Sequence, residues 1–300
     1  MISKRIRIEK NKYNNRYKII YSTPYRQMYK YLKGLSPSYA KNFMKNIKYI
    51  KIDYDKETCE MLDSLGGYVS LYNAIIYRDS HERILTHELT HMASTNIDST
   101  TNYNTGIMTV SNNSFKKRNK GSILDEGITQ DITNHARKIV DYSIYPFPTF
   151  IASLLHFSYG IRIYKPYFQC DYSKFINQFD DRLTIKKLIN NIEKMNEYEN
   201  RNQHKKDNQN MLYYMKKTLE NAIDLVYHNE VKKKNYNLDT LIYEIYYIIE
   251  CKKLNMFYDT KFIYEVILER LNKLERQNKQ NKQNNQTTKI ISKRRILCKK

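Results

Sequence analysis

The sequence predicts an α+β fold that is mostly helical: a small N-terminal β-sheet, a helix carrying an H-E-x-x-H pattern, then a helical C-terminal lobe. Three observations predict it. Runs rich in β-branched and aromatic residues, Arg16–Tyr21, Tyr49–Tyr54 and Tyr68–Tyr77, all precede Arg78. From Leu124 onward apolar residues recur at helical spacing for most of the remaining length. Between the two regions lies His87-Glu88-Leu89-Thr90-His91, whose flanks also read as helix.

The elements follow in order. The first dozen residues form a basic arm, and Arg16–Tyr21 is a short strand. Thr23-Pro24 opens a helix with Tyr25, Met28, Tyr29 and Leu32 on one face, and Gly34 closes it. Ser36-Pro37 opens a second, with serine at the cap and proline in the first turn, where its missing N–H costs nothing. Strands are expected at Tyr49–Tyr54 and, after Gly66-Gly67, at Tyr68–Tyr77. The latter is either an ordinary core strand or an edge able to pair with an extended peptide. Polar loops follow at Thr95–Thr105 and Ser111–Lys120. Ile128, Ile132, Ala136 and Ile139 mark the buried stripe of the next helix. Pro146 and Pro148 precede an apolar helix from about Phe150 to Tyr164, and Leu183–Met195 is amphipathic. Asn200–Asn210 reads as a linker. Helices over Leu212–Tyr227, Leu238–Ile249 and Phe262–Leu274 follow, and a Gln-, Asn- and Lys-rich tail from Arg276 is expected to be disordered.

The net charge of +21 is unevenly placed. Residues 1–50 hold 13 Lys/Arg against Glu9 alone, and residues 276–300 hold 9 with no acid, so the middle of the chain is neutral. Basic ends of this kind are either simply solvated or make weak, non-specific contact with nucleic acid, a ribosome or an anionic membrane surface. The four cysteines are far apart and form no C-x-x-C pair, which argues against a disulfide framework or a thiolate metal site. The basic N-terminus has no apolar run behind it, so it is not a secretory signal. The most apolar stretch, Phe147–Tyr164, is broken by His156, Gly160 and Arg162, and is too short and polar to span a bilayer. A cytoplasmic protein is expected.

The chemistry concentrates at the H-E-x-x-H pattern. On a helix His91 lies roughly 40° from His87 and Glu88 roughly 100° from it, so all three side chains point to one side. Leu85, Leu89 and Met92 fall opposite and supply an apolar back. Two imidazoles one turn apart can hold a zinc ion, while the glutamate is placed to take a proton from a water the ion activates. A catalytic zinc takes three protein ligands, and Glu126, Asp131, His135 and His156 are the downstream candidates. Glu126 is the best of them. It belongs to a polar row with Thr129, Gln130, Thr133 and Arg137, clear of the isoleucine stripe. His81 belongs at the helix entrance, and His204 and His228 look incidental.

His87-Glu88-Leu89-Thr90-His91 followed by Asp125-Glu126-Gly127-Ile128-Thr129 resembles the gluzincin zinc metallopeptidases, over about residues 66–165. The second segment is similar to the Asn-Glu-Gly-Phe type of motif in aminopeptidase-N-like enzymes and to Glu-Gly-x-Thr segments of small bacterial metallopeptidase-like proteins. The resemblance implies Zn2+ held by His87, His91 and Glu126, with Glu88 as general base. It also implies hydrolysis of peptide bonds in a peptide or protein substrate. Of the donors available to an oxyanion, Tyr145, His135, His156 and Tyr159, the Tyr-Pro turn at Tyr145 is closest to the gluzincin arrangement. Two features depart from the family. Gln130 stands where thermolysin-like members have a histidine-orienting aspartate, with Asp131 beside it, and the 35-residue separation of His91 from Glu126 implies an inserted loop. The organisation expected is a catalytic region over 1–200, a helical lobe over 201–275 and the basic tail over 276–300. The competing reading is a non-catalytic metal-containing protein that docks on nucleic acid or a ribosome through its basic ends.

Overall fold

A computed structural model describes residues 22–54, 56–61, 66–70, 73–77, 82–96, 105–110, 119–139, 144–200 and 205–297. The strand expected at Arg16–Tyr21 and the histidines His81 and His204 lie outside them. Two helices open the described chain, α1 (Thr23–Leu35) and α2 (Pro37–Lys48). They begin at the expected Thr23-Pro24 and Ser36-Pro37: the Ser36 hydroxyl accepts the Ser38 N–H, and Ser22, one residue before Thr23, caps α1 by accepting the Tyr25 N–H.

The sheet is small. β1 (Lys51–Tyr54) runs parallel to β3 (Ala74–Tyr77), and β2 (Gly66–Val69) pairs antiparallel with the other side of β3. The order β1-β3-β2 therefore leaves β2 at an edge among the described residues. A short helix, α3 (Lys56–Met61), lies between β1 and β2. The single strand expected over Tyr68–Tyr77 is instead a hairpin. Asn73 takes a left-handed backbone (φ 45°) that reverses the chain, and its amide donates to the Asn46 carbonyl on α2 while its Oδ1 accepts the Tyr68 hydroxyl.

The motif lies on α4 (Glu82–Ala93), which is packed against α1, α2 and β2. The sequence expectation of one apolar back understates this burial. Ile84 and every residue from Thr86 to Ala93 are buried, while Leu85 is only half-buried. Two asparagines from α2 satisfy the carbonyls at the end of α4, groups that a helix C-terminus leaves without internal partners. Asn46 donates to the Met92 and Thr95 carbonyls, both at 2.8 Å, and Asn42 to those of Ala93 and Thr95 at 3.0 and 3.1 Å.

A two-residue hairpin, β4 (Thr109–Val110) with β5 (Asn119–Lys120), leads into α5 (Ser122–Arg137). Leu124, Ile128, Ile132 and Ala136 are its buried apolar stripe; Ile139, expected there, lies past the helix end and is exposed. The next helix, α6 (Pro146–Tyr159), starts four residues earlier than expected, because Pro146 and Pro148 occupy its first turn rather than precede it. It ends at Gly160, a 3-10 turn covers Gly160–Ile163, and α7 (Tyr164–Phe168) and α8 (Tyr172–Asn177) follow.

The remaining helices are α9 (Arg182–Asn200), α10 (Lys205–Glu230), α11 (Leu238–Cys251) and α12 (Thr260–Leu297). α9 packs along α10, and α10 and α11 both pack on α6. Arg270 of α12 grips Asp224 of α10 with two nitrogens, each 2.6 Å from a carboxylate oxygen. One apolar cluster runs from Tyr25 to Leu274. The tail expected to be disordered from Arg276 is helical as far as Leu297. Its lysine, arginine and glutamine residues are good helix formers and it has no glycine or proline, so a polar composition does not by itself prevent the helix from propagating. No helix among the described residues is long and apolar enough to cross a membrane.

Candidate metal centre

α4 and α5 cross closely because small hydroxyl residues meet there: the Thr90 and Thr133 Oγ1 atoms are 3.1 Å apart. The crossing brings Glu126 to the two motif histidines. Glu126 Oε2 is 3.0 Å from His87 Nε2 and 3.1 Å from His91 Nε2, and the two nitrogens are 3.2 Å from one another. These atoms form a nearly equilateral donor set that can hold a metal ion.

The opposite side of each ring shows which way its lone pair points. His87 Nδ1 is 2.9 Å from Gln130 Oε1, and the same amide donates from Nε2 to Asn134 Oδ1. A hydrogen on His87 Nδ1 thus has a fixed acceptor, and Nε2 faces Glu126. His91 Nδ1 faces Thr129 Oγ1 at 3.4 Å and Asp125 Oδ2 at 3.7 Å. The Thr129 hydroxyl donates to the Asp125 carbonyl and its oxygen accepts the Tyr167 hydroxyl at 2.7 Å, which leaves one lone pair toward His91. Each ring has an oxygen near its outer nitrogen, and the inner nitrogen, which faces Glu126, is the one placed to ligate an ion. Gln130 thus orients His87, and Asp125 stands as the nearest carboxylate behind His91.

Asp125 is itself held by the loop before α5. Gly106 has φ +58°, and a Cβ there would stand 1.9 Å from Asp125 Oδ1. Only glycine lets this turn close over the carboxylate, which accepts the Ile107 N–H at 2.6 Å.

Three carboxylates, Glu88, Asp125 and Glu126, border one cleft of about 430 Å³, and among the described residues no lysine or arginine lines it. Negative charge gathered in a poorly solvated place needs a cation or protons. Burial pushes the Asp125 carboxyl up to about 7 against the pull of His91. Burial also raises the Glu88 carboxyl, opposed by both imidazoles and by a hydrogen bond from the Tyr68 backbone. Burial would raise Glu126 too, but His91 and the hydrogen bonds from both rings outweigh it and hold that carboxyl well below the usual range. His91, which burial alone would depress, is carried to about 9 by Glu126, Glu88 and Asp125. The site is thus built to attract positive charge, and its donors, two imidazoles and a carboxylate, suit a divalent metal.

The edge strand β2 borders the cleft through Gly66, Gly67 and Tyr68. Tyr145, the cap residue of α6, borders it from the other side, its ring centroid 6.2 Å from that of His87. The Glu126 and Glu88 carboxylates and burial push the Tyr145 phenol well up, which keeps its hydrogen in place.

The other candidates go elsewhere. Asp131, His135 and His156 meet in a second cluster, outside the residues that line the cleft. The Tyr159 hydroxyl donates to the Leu225 carbonyl in the contact with α10. Compared with known proteins, the chain matches no family model, no curated protein and no solved structure.

Proposed function

We propose that the chain is a zinc-dependent peptidase that hydrolyses peptide bonds in a peptide or protein substrate. The observation that carries this reading is the triangle of His87, His91 and Glu126 donor atoms, 3.0–3.2 Å on a side, with the Glu88 carboxylate on the same cleft. Ligand atoms about 2.0–2.1 Å from a tetrahedral zinc stand about 3.3 Å apart, close to this spacing, and His2Glu is a catalytic zinc donor set. The likeness of the two motif segments to gluzincins supports the same assignment. Zinc held by these residues would supply Lewis acidity to a carbonyl oxygen and bring the pKa of water to about 7.

The chain's own residues carry the rest. Glu88, with its proton affinity raised by burial, accepts a proton from the attacking water as the new C–O bond forms. It returns that proton to the amine nitrogen as the C–N bond breaks. Tyr145, kept as a phenol, offers its O–H to the oxyanion. β2 lies at a sheet edge beside the donor set, where an extended peptide can be aligned by backbone hydrogen bonds.

The test is metal analysis and peptide turnover on wild type, Glu88→Gln and Glu126→Ala. Glu88→Gln should keep zinc and lose about 10²–10⁴ in turnover, the usual contribution of a positioned base. Glu126→Ala should lose zinc affinity. Unchanged zinc content in Glu126→Ala, or unchanged turnover in Glu88→Gln, refutes the assignment.

A further inference from the structure

α5 carries a second set of metal-ligating side chains. Asp131, on α5, has a fully buried carboxylate, and His135 is one turn further along the same helix. His156 comes from α6. His156 Nδ1 lies 3.0 Å from His135 Nε2 and 3.2 Å from Asp131 Oδ2, and His135 Nε2 lies 3.9 Å from that same oxygen. The Tyr164 hydroxyl, at the start of α7, is 2.6 Å from both Asp131 Oδ2 and His156 Nδ1.

The Tyr164 hydroxyl donates to Asp131 Oδ2, and His156 Nδ1 and His135 Nε2 converge on the same oxygen, so three metal-ligating atoms face one small volume. From three sides of 3.0, 3.2 and 3.9 Å, the point equidistant from the donor atoms falls about 2.0 Å from each, the bond length of zinc to imidazole and carboxylate.

We infer that Asp131, His135 and His156 form a second divalent transition-metal site, separate from the cleft. The surroundings favour it. Oδ1 of Asp131 accepts the Ser153 hydroxyl at 2.5 Å and faces the Lys252 ammonium at 3.6 Å, and Oδ2 accepts the Tyr164 hydroxyl, so the carboxylate is held with Oδ2 turned to both imidazoles. The His135 side chain is 47% exposed, so an ion has a way in and water has access to a remaining position. An ion here pins α5 to α6, the helices that bring Glu126 and Tyr145 to the first site.

The test is the zinc stoichiometry of the full chain, stripped with a chelator, reloaded with Zn2+ and analysed after gel filtration, with Co2+ absorption as a second readout. Wild type should bind two equivalents. The double variants His135→Ala/His156→Ala and His87→Ala/His91→Ala should bind one each. If the first of these, folded by circular dichroism, still binds as many equivalents as wild type, the second site does not exist. Should it fail to fold, His135→Gln at the exposed position decides, since it must weaken one of the two equivalents by more than roughly tenfold in competition with a chelator. One wild-type equivalent that survives loss of His87 and His91 but not of His135 and His156 supports this site and sinks the peptidase reading. The reverse pattern sinks this site alone.

Discussion

Gly127 sits between the candidate ligand Glu126 and the core residue Ile128, and replacing it by alanine tests how tightly the site depends on helix packing. A Cβ at this position would stand 2.3 Å from the Pro148 carbonyl oxygen and 2.5 Å from its carbon. These are backbone atoms in the first turn of α6, so no side-chain rotation relieves the overlap. Reaching ordinary contact requires α5 and α6 to separate by about 1 Å. Overpacking of this kind costs about 1–3 kcal/mol, while alanine in place of a helical glycine returns about 1 kcal/mol. The net loss is roughly 0–2 kcal/mol, or up to about 3 °C in Tm for a chain of this size. The functional effect is larger in proportion. Glu126 is on α5 and Tyr145 caps α6, so the separation moves two of the site's groups relative to each other. A displacement near 1 Å costs about 10² in rate. Thermal unfolding and peptide turnover with zinc in excess measure both effects. A Gly127→Ala protein that melts at or above the wild-type temperature and turns over within twofold of it refutes the packing argument.

Gln130→Ala removes the acceptor of His87 Nδ1 and should weaken zinc binding about 10–100-fold with little change in fold, read by chelator competition. In Gln130→Glu the acceptor is kept and affinity should recover most of that loss. Tyr145→Phe should retain zinc and lose about 10²–10³ in kcat, the usual effect of deleting one oxyanion donor; unchanged kcat removes Tyr145 from the mechanism. Asn46→Ala deletes two hydrogen bonds to the end of α4 and should cost about 1–2 kcal/mol, at about 1 kcal/mol each, seen as a lower denaturation midpoint.

What the sequence revealed follows the range of the interactions involved. Ser22 and Ser36 with the prolines beside them set the starts of α1 and α2 through contacts within four residues, and those starts were readable. His87 and His91 share a helix, so their spacing alone put them together. Glu126 was reachable through its chemistry and its polar row. Asn73, by contrast, breaks one apparent strand into two: asparagine in the run was a local turn signal, but its bond to the Asn46 carbonyl on α2, which fixes that turn, is not written within Tyr68–Tyr77. The same holds for Asp131, His135 and His156. A helical wheel gives the side of α5 on which the first two lie, but the neighbour facing that side depends on where α6 crosses, and α6 brings His156 to them rather than to the cleft.

Both helices that bear the candidate ligands break the pattern of an ordinary core helix. From Thr86 to Ala93 α4 is buried without interruption, and α5 buries Asp125, Thr129, Gln130, Asp131, Thr133 and Asn134 besides its apolar stripe. Thr, Gln and Asn inside a helix add nothing to hydrophobic stabilisation and must each find a hydrogen-bond partner to avoid a penalty of about 1–3 kcal/mol. Here they find partners that face a donor cluster: Gln130 holds His87, Thr129 faces His91, and Ser153 and Tyr164 hold Asp131. An apolar set of the same shape would pack as well and cost less. Sequences depart from local consistency in this concentrated way where chemistry requires it; in α4 and α5 the departures at Gln130, Thr129 and Asp131 converge on the two sets of three donor atoms, while Thr90 and Thr133 serve the helix crossing.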